Sequence, residues 1–280
     1  MSFKISSDST CDLSDAIVKE NDVTLVCVTI IFDGKEYTDT VDITPERVIE
    51  MVDERGILPK TAANTVEMYK ETFEKLTADG SELIHFCISS HDSSCYNNAV
   101  AAAKECKGVY VVDSLQLSSG QGLLIMKAID YRKEGLSAKE AFDRIEEIKL
   151  KARTSFVLDR LDFLHKGGRC SLAALIGAKL LKLHPHISMK DGALGVKAKY
   201  QGNMIRSVNK YVEDLAAEYV QYDKTRCFIT HSPTDQPIID AVRAKVEELF
   251  DFDEVIETQA GTTVTSHCGK NTIGVLFIAD

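Results

Sequence analysis

The sequence predicts an α/β fold with an N-terminal doubly wound parallel sheet domain and a C-terminal α+β domain that has a mainly antiparallel sheet. In the first half, short apolar strand patterns alternate with helix patterns, and three of the strands end in Asp, Ser or Thr. In the second half, Asp191-Gly192 is the kind of turn that closes antiparallel hairpins. We place the domains at residues 1–153 and 154–280.

The first half begins with a strand pattern over residues 3–7 and a helix pattern over about 12–20. The β-branched run at 23–32 predicts one long strand, and Asp33-Gly34 after it predicts a hairpin turn. Residues 58–65 are expected to form a loop. Further helices are predicted over residues 45–55, 66–78, 98–104, 118–133 and 137–150, and further strands over 83–88 and 109–112.

The second half predicts two short strands within residues 186–200, on either side of the Asp-Gly turn. Residues 265–269, Thr-Ser-His-Cys-Gly, form a short polar break before the last strand. The other elements predicted here are helices over about 203–220 and 236–249 and strands over 226–230, 254–258 and 273–278.

The loop at residues 89–94, Ser-Ser-His-Asp-Ser-Ser, connects a buried strand to an alanine-rich helix. Backbone N–H groups at such a junction, together with the helix dipole, favour an anion. Asp92, Ser93 or Ser94 could instead simply cap the helix, because these residue types are preferred N-caps. The loop alone leaves both interpretations open.

Composition argues against several classes of function. The net charge of −10 and the pI near 5.3 disfavour a nucleic-acid partner, which usually needs a basic surface. No run of about 18 apolar residues is present to span a bilayer, and the N-terminus lacks a signal-peptide pattern. The eight cysteines include no C-x-x-C pair. We therefore expect a cytoplasmic protein without a transmembrane segment.

Known catalytic motifs are missing from the sequence. It contains no phosphate-binding G-x-x-x-x-G-K-[ST] or G-x-G-x-x-G motif, so a kinase active site within this chain is not expected. Ser93 and His267 could in principle act as a nucleophile and its base, although no nucleophile elbow is present. His184 and His186 could hold a metal, but with no nearby ligand at suitable spacing we interpret them as ordinary strand histidines.

Gly167, Gly168 and Arg169 form a second notable motif. Two glycines permit a tight bend, and the arginine that follows carries a planar, permanent charge suited to a carboxylate or phosphate. A helix end followed by a solvated arginine explains the same residues equally well.

Several segments together resemble the DegV family, the fatty-acid-binding proteins that include the FakB subunits of bacterial fatty acid kinase. The similarity runs in order along nearly the whole chain. The matching segments are SDSTCDL at 7–13, KTAAN at 60–64, SSHDSSCYNNA at 89–99, VVDSLQLSSGQG at 111–122, FLHKGGRCS at 163–171, LKLHPHISMKDG at 181–192 and SHCGKNTIGVLF at 266–277.

The resemblance implies that a long-chain fatty acid lies between the two domains, with its carboxylate at the sheet edge of the N-terminal domain and its chain covered by the C-terminal domain. The family's carboxylate-binding residues fall on Thr61, Ser93 and His267. They would act as hydrogen-bonding groups, so no catalytic residue, metal or cofactor is expected in this chain.

The resemblance also implies a partner. FakB subunits present the carboxylate to a separate ATP-dependent fatty acid kinase and hold the acyl phosphate product. The Gly167-Gly168-Arg169 motif would lie at the pocket mouth on the side that faces the kinase.

Several positions depart from the family pattern, among them residues 92–95, which stand where Leu-Ser-Gly-Thr is common, and residues 267–271, which stand where His-x-Gly-Pro-Gly is common. Ala62 stands where serine is common, Asn64 where proline is common, and Gln201 where a basic residue is common. Lys270 is an additional lysine that would place a positive charge near His267. Two alternatives to the kinase-linked function are a lipid carrier or sensor without a kinase partner, and an acyl hydrolase that uses Ser93 and His267.

Overall fold

The N-terminal half consists of alternating strands and helices. The computed structural model describes residues 3–160, 163–164 and 183–279. In chain order this half contains β1 (Lys4–Asp8), α1 (Asp15–Glu20), β2 (Val23–Val26), β3 (Thr29–Phe32), β4 (Lys35–Thr38), α2 (Pro45–Arg55), β5 (Lys60–Ala62), α3 (Val66–Thr77), β6 (Leu83–Cys87), α4 (Cys95–Ala103), β7 (Val109–Asp113), α5 (Ser119–Lys133) and α6 (Ala138–Ile148).

Four of these strands form a parallel sheet in the order β2-β1-β6-β7. Helices α3 and α4 contact each other, and α5 contacts α6, so the helices pack in pairs beside the sheet. Strand β6 is buried along its whole length, as expected for a strand with covered faces. The predicted parallel sheet is confirmed, and its strands all deliver their carboxyl ends to one edge.

A small antiparallel sheet, in the order β4-β3-β5, lies beside the parallel one. The prediction of one long strand over residues 23–32 was wrong, because β2 and β3 belong to different sheets. At the break, the Val28 amide donates to the Ser9 hydroxyl and the Val28 carbonyl accepts from Asp39. The expected loop at residues 58–65 was also partly wrong, since β5 pairs there with β3.

The C-terminal half contains a mixed sheet that is mostly antiparallel. Its order is β11-β10-β9-β14-β12-β13, with β8 also paired to β14. Among the described strands of this sheet, β12 and β13 form a parallel pair and the other pairs are antiparallel. The elements are β8 (Ala152–Arg153), β9 (Ser155–Val157), β10 (Leu183–Lys190), β11 (Ala193–Gln201), α7 (Met204–Glu218), β12 (Tyr222–His231), α8 (Gln236–Leu249), β13 (Val255–Gln259), α9 (Thr262–Cys268) and β14 (Ile273–Ala279).

This architecture confirms the predicted fold class. The chain joins the second sheet at Ala152, close to the predicted domain boundary, but the boundary itself stays a prediction. None of the helices in the described ranges combines the length and the apolar character that crossing a bilayer requires.

Local signals explain where several elements begin and end. The Thr44 hydroxyl caps α2 by accepting from the Arg47 amide, and Gly56 ends that helix at φ 67°. The Asp191-Gly192 turn joins β10 to β11, with both residues at positive φ (50° and 83°), so the predicted hairpin is confirmed.

One hydrophobic core crosses from the first sheet to the second. Helix α5 packs on β1 from one side and on β12 and β14 from the other. Consequently Phe228, Leu276 and Ile278 of the C-terminal half share a buried cluster with Ile5 and Ile84 of the parallel sheet. The two halves are therefore held together by apolar burial, which positions the loops that face each other at the sheet edge.

Candidate functional site

A largely apolar cavity, which we call the head-group cavity, lies over the carboxyl edge of the parallel sheet. It encloses about 670 Å³ of space between protein atoms, a volume that includes open solvent. Its apolar lining comes from both halves of the chain: Val28, Ala63, Ile88, Leu117, Phe156, Leu164, Leu194 and Val264. Its polar and thiol lining residues are Thr10, Thr61, Asp92, Ser93, Cys95, Thr263, His267 and Cys268.

Thr61 and His267 meet at this cavity although 206 positions separate them in the chain. The Thr61 Oγ1 atom, on β5, is 3.0 Å from the His267 Nε2 atom, on α9. Both residues are half-buried and both line the cavity. The two halves of the chain therefore place a hydroxyl and an imidazole together in the wall of a largely apolar space.

Ser93 lines the same cavity, where α4 begins. Its hydroxyl donates to the Cys95 sulfur at 3.2 Å and accepts from the Cys95 amide at 3.3 Å. Ser94, at the N-cap position, makes no side-chain capping bond. Burial raises the pKa of the Cys95 thiol to about 11, so this thiol is neutral near pH 7. Ser93 thus combines a capping role with exposure to the cavity, and the two interpretations of this loop are compatible.

The structure brings Thr61, Ser93 and His267 to one cavity, but it does not pair Ser93 with His267. Among the described residues, the hydrogen bonds of the Ser93 hydroxyl go to Cys95, while the His267 Nε2 atom faces Thr61. A hydrolase would need the imidazole within hydrogen-bond reach of the nucleophile. The observed arrangement is that of separate polar groups in the wall of one cavity.

Helix α9, which carries His267, is held by two buried aspartates from the N-terminal half. Asp12 accepts from the Gly261 amide at 2.8 Å and from the Ser118 hydroxyl at 2.5 Å. Asp39 accepts from the amide and the hydroxyl of Thr263, at 3.2 and 2.7 Å. The polar break predicted over residues 265–269 was therefore wrong, because tertiary hydrogen bonds stabilise a helix in this threonine-rich segment.

The surroundings of Asp12 change its ionisation. Burial is the main cause that raises the pKa of Asp12 from 3.8 to about 7, and the charge of the neighbouring Asp39 acts in the same direction. The hydrogen bonds from Ser118 and Gly261 have the opposite effect on this pKa. The segment that positions His267 thus rests on a carboxyl group that titrates near neutral pH.

A second buried network supports the Ser93 side of the cavity. Asp8, at the end of β1, accepts from the Tyr69 hydroxyl at 2.5 Å and from the Ile88 amide at 3.1 Å. Asn64 donates to Asp8 and to the Val26 carbonyl. The departure at Asn64 therefore has a structural explanation, since its side chain ties the segment after Thr61 to the parallel sheet.

The histidines and the residue cluster that could hold a metal in the described part of the chain do not line this cavity. Asp8, His85 and Cys87 converge within 4.8 Å in the described part of the chain, but protein donors already occupy both Asp8 oxygens. His184 contacts the carbonyls of Leu158 and Gly202. His186 stacks on Tyr200, and its burial lowers its pKa to about 4.

The remaining predicted residues divide into two groups. Gly167, Gly168 and Arg169 lie outside the described residues. Lys270 forms an ion pair with Asp235 at 3.2 Å and does not line the head-group cavity. Gln201 ends β11, beside Lys199 and Arg206 in a separate surface groove.

Sequence reasoning missed the supporting roles of Asp12, Asp39 and Tyr69. Asp12 stands in SDSTCDL, one of the segments that carried the family resemblance, and this was an available signal. Asp39 follows the β4 strand, and Tyr69 lies on a helix face that looks like ordinary core. The partners that connect them to the site, Asp8, Gly261 and Thr263, are 61 to 249 positions away, so spacing could not reveal these contacts.

Known proteins resemble this chain over its whole length. A "DegV domain-containing protein" of Clostridium acetobutylicum is 32% identical over 278 residues, covering 99% of this chain and 98% of that protein. A stearic-acid-binding protein from Eubacterium ventriosum has a similar structure, with a TM-score of 0.85, 28% identity and coverage of 99% and 98% of the two chains.

A DegV family protein from Thermus thermophilus, described as fatty-acid binding, superimposes with a TM-score of 0.92 at 24% identity over 100% of both chains. At that identity, the likeness supports the fold. The family model described as "Uncharacterised protein, DegV family" matches residues 2–280. This chain therefore belongs to the DegV family.

Proposed function

We propose that this protein binds a long-chain fatty acid in the head-group cavity, with the carboxylate at Thr61, Ser93 and His267 and the acyl chain among the apolar residues. The observation that carries the proposal is the 3.0 Å contact of Thr61 with His267 in the wall of a largely apolar cavity. The description of the relative from E. ventriosum as a stearic-acid-binding protein supports it.

The energetics of such a complex are favourable. Transfer of about 15 methylenes from water contributes on the order of 12 kcal/mol before the costs of ordering the ligand. A buried carboxylate must keep hydrogen-bond donors, and two hydroxyls with an imidazole provide them. The apolar chain thus provides affinity, and the polar groups fix which end of the ligand faces out.

The direct test is to extract lipid from the purified protein and identify it by mass spectrometry. We expect a fatty acid in about equimolar amount, or its uptake after the stripped protein is incubated with one. A preparation that holds no fatty acid and takes up none would contradict the proposal.

We further propose that the bound carboxylate is the substrate of a separate ATP-dependent fatty acid kinase, and that this chain holds the acyl phosphate product. Phosphoryl transfer needs a phosphate-binding loop and metal ligands. The sequence contains neither nucleotide motif, which supports a division of labour between two chains.

Reconstitution distinguishes this function from that of a carrier or sensor without a kinase partner. The loaded protein is incubated with ATP and magnesium, alone or with the fatty acid kinase catalytic subunit of the same organism, and acyl phosphate is trapped with hydroxylamine. We expect hydroxamate only when both chains are present. Its absence with an active kinase would favour the carrier, and release of free acid from acyl esters, lost in Ser93→Ala, would favour the hydrolase.

A further inference from the structure

Thr61 and Ser93, two of the three groups proposed to bind the carboxylate, belong to separate elements. Thr61 lies in β5, and Ser93 lies just before α4. Among the described residues, the Thr61 hydroxyl contacts His267, and the Ser93 hydroxyl bonds only to Cys95. The spacing of the two hydroxyls therefore depends on how α4 is attached to the segment that carries Thr61.

Asn98, on α4, makes this attachment. Its Nδ2 atom donates to the Asn64 backbone carbonyl at 2.8 Å, and within the described part of the chain this is the one hydrogen bond that joins α4 to residues 61–64. Asn98 is three residues after Cys95, so the two side chains lie on the same side of the helix. The bond thus connects the two elements that provide the proposed hydroxyl donors.

The point to which Asn98 is attached is itself fixed. Asn64 is 1% exposed. Its Nδ2 atom donates to the Val26 carbonyl at 3.1 Å, on β2, and to the Asp8 carboxylate at 3.4 Å, on β1. These two strands are neighbours in the parallel sheet. Asn98 therefore fastens α4 to the sheet through a buried residue.

Asn98 acts at a distance from the ligand, because its side chain does not line the head-group cavity, whereas Thr61 and Ser93 do. The neighbouring Asn97 is exposed, and its side chain makes no hydrogen bond with any residue in the described ranges. The same helix therefore carries one asparagine that is bonded to the Thr61 segment and one that is not.

The spacing of the two hydroxyls matters for a carboxylate in particular. A carboxylate has two oxygens at a fixed separation, and both accept hydrogen bonds. Two hydroxyls can bind both oxygens only if their own separation matches, since hydrogen bonds weaken steeply away from their preferred geometry. An alcohol has a single oxygen, so one of the two hydroxyls is enough to bind it.

We propose that Asn98 is a positioning residue for the carboxylate site. Through its bond to the Asn64 carbonyl, α4 holds the Ser93 hydroxyl at the distance from Thr61 that a carboxylate needs. This inference rests on the proposed fatty-acid binding and adds to it a residue that sets the preference for an acid over an alcohol of the same chain length.

The test compares Asn98→Leu with its matched control Asn97→Leu, because leucine has nearly the shape of asparagine but no donor. Leucine also has the higher helix propensity, which favours folding of both variants. Lipid-stripped proteins are titrated with dodecanoate and with dodecanol, by displacement of a fluorescent fatty acid. Loss of one hydrogen bond to a charged group weakens dodecanoate binding by Asn98→Leu roughly tenfold, while dodecanol binding changes little. Asn97→Leu binds both compounds like wild type.

A second variant, Asn98→Ala, covers the case in which Asn98→Leu fails to fold. It also lacks the donor and adds no charge near the site, so we expect the same loss of preference for the acid. An unchanged preference in every folded Asn98 variant, whether both affinities fall together or neither falls, would overturn the inference and leave fatty-acid binding intact. If wild type bound neither compound, the proposed function would fail and this inference with it.

Discussion

Thr61 provides the simplest test of the polar end of the cavity, because valine copies its shape without the hydroxyl. A hydrogen bond to a charged group contributes about 1.5–3 kcal/mol. We expect Thr61→Val to weaken fatty-acid binding roughly tenfold to a hundredfold with little change in stability. Displacement of a fluorescent fatty acid measures the change.

The matched control is Thr72→Val on α3, where the hydroxyl bonds to the Met68 carbonyl and does not line the cavity. It should bind fatty acid like wild type. Equal affinities in Thr61→Val and Thr72→Val would mean that the Thr61 hydroxyl does not contact the carboxylate.

Asp12 gives the protein a predictable dependence of stability on pH. Its folded-state pKa of about 7 exceeds the unfolded value near 3.8, so the folded state retains its proton more strongly. Its contribution to the free energy of unfolding therefore falls as pH rises from about 4 to 7, by up to roughly 4 kcal/mol, and is constant above that range.

Urea denaturation of wild type and Asp12→Asn between pH 4 and 8 checks this expectation. The asparagine does not titrate, so the difference in unfolding free energy between the two proteins should shift in favour of the variant as pH rises. A difference that stays constant across this range would show that Asp12 keeps an ordinary pKa.

For individual residues, the sequence predicted a set of site residues but not how they are held in place. The resemblance to a known family pointed to Thr61, Ser93 and His267, and the structure brings all three to one cavity. The contact of Thr61 with His267 depends on packing between sequence-distant segments, which local patterns do not encode. The aspartates that support α9 were missed for the same reason.

Among the elements, the β10–β11 hairpin links the C-terminal sheet to the loop that carries Ser93. The Gly192 carbonyl accepts from the Ser89 hydroxyl at 2.6 Å. A Cβ atom at Gly192 would lie 2.8 Å from Leu115 and 3.0 Å from His91. This turn therefore fits closely against the loops at the edge of the parallel sheet.

Gly34 offers a matched control for this fit, because it also follows an aspartate in a hairpin turn at positive φ. A methyl group added at Gly34 would have no atom of the described residues outside its own turn within 4 Å. Gly34→Ala should cost about 1–2 kcal/mol of backbone strain. Gly192→Ala should cost that amount plus about 1–3 kcal/mol of overpacking, and should also weaken fatty-acid binding. Chemical denaturation and ligand displacement measure the two effects.

Equal losses of stability in the two alanine variants, with unchanged ligand affinity, would contradict this role for the hairpin.

The two hairpin turns could be predicted from the sequence, because Asp-Gly pairs favour the positive φ angles that such turns require. Helix α9 was not, since a run of threonine and valine has low helix propensity and the bonds to Asp12 and Asp39 outweigh it.

At the scale of the whole molecule, the ligand would bridge the two halves of the chain. The head-group cavity takes Val28 and Ile88 from the N-terminal half and Leu194 and Val264 from the C-terminal half. A ligand that binds only the folded protein stabilises it by about 2.7 kcal/mol at one hundred times its Kd. We expect octadecanoate to raise the Tm of stripped protein by several degrees, measured by calorimetry.

Dodecanol, which has a tail but no carboxylate, is a useful comparison in the same experiment, since it cannot satisfy the polar end of the cavity as a carboxylate does. We expect it to raise the Tm less than dodecanoate. Equal shifts would mean that the polar residues do not recognise the acid group.

The fold class could be predicted from the sequence because strand and helix patterns alternate along the chain. The cavity could not, because it depends on how the two sheets pack against each other.

The most direct test of the central claim is a crystal structure of the protein with octadecanoate. The account predicts one carboxylate oxygen within about 3.2 Å of the Thr61 hydroxyl, the other carboxylate oxygen facing Ser93, and the hydrocarbon chain running between the two halves of the protein. A ligand with its carboxylate buried at the far end, or bound outside the cavity altogether, would contradict it.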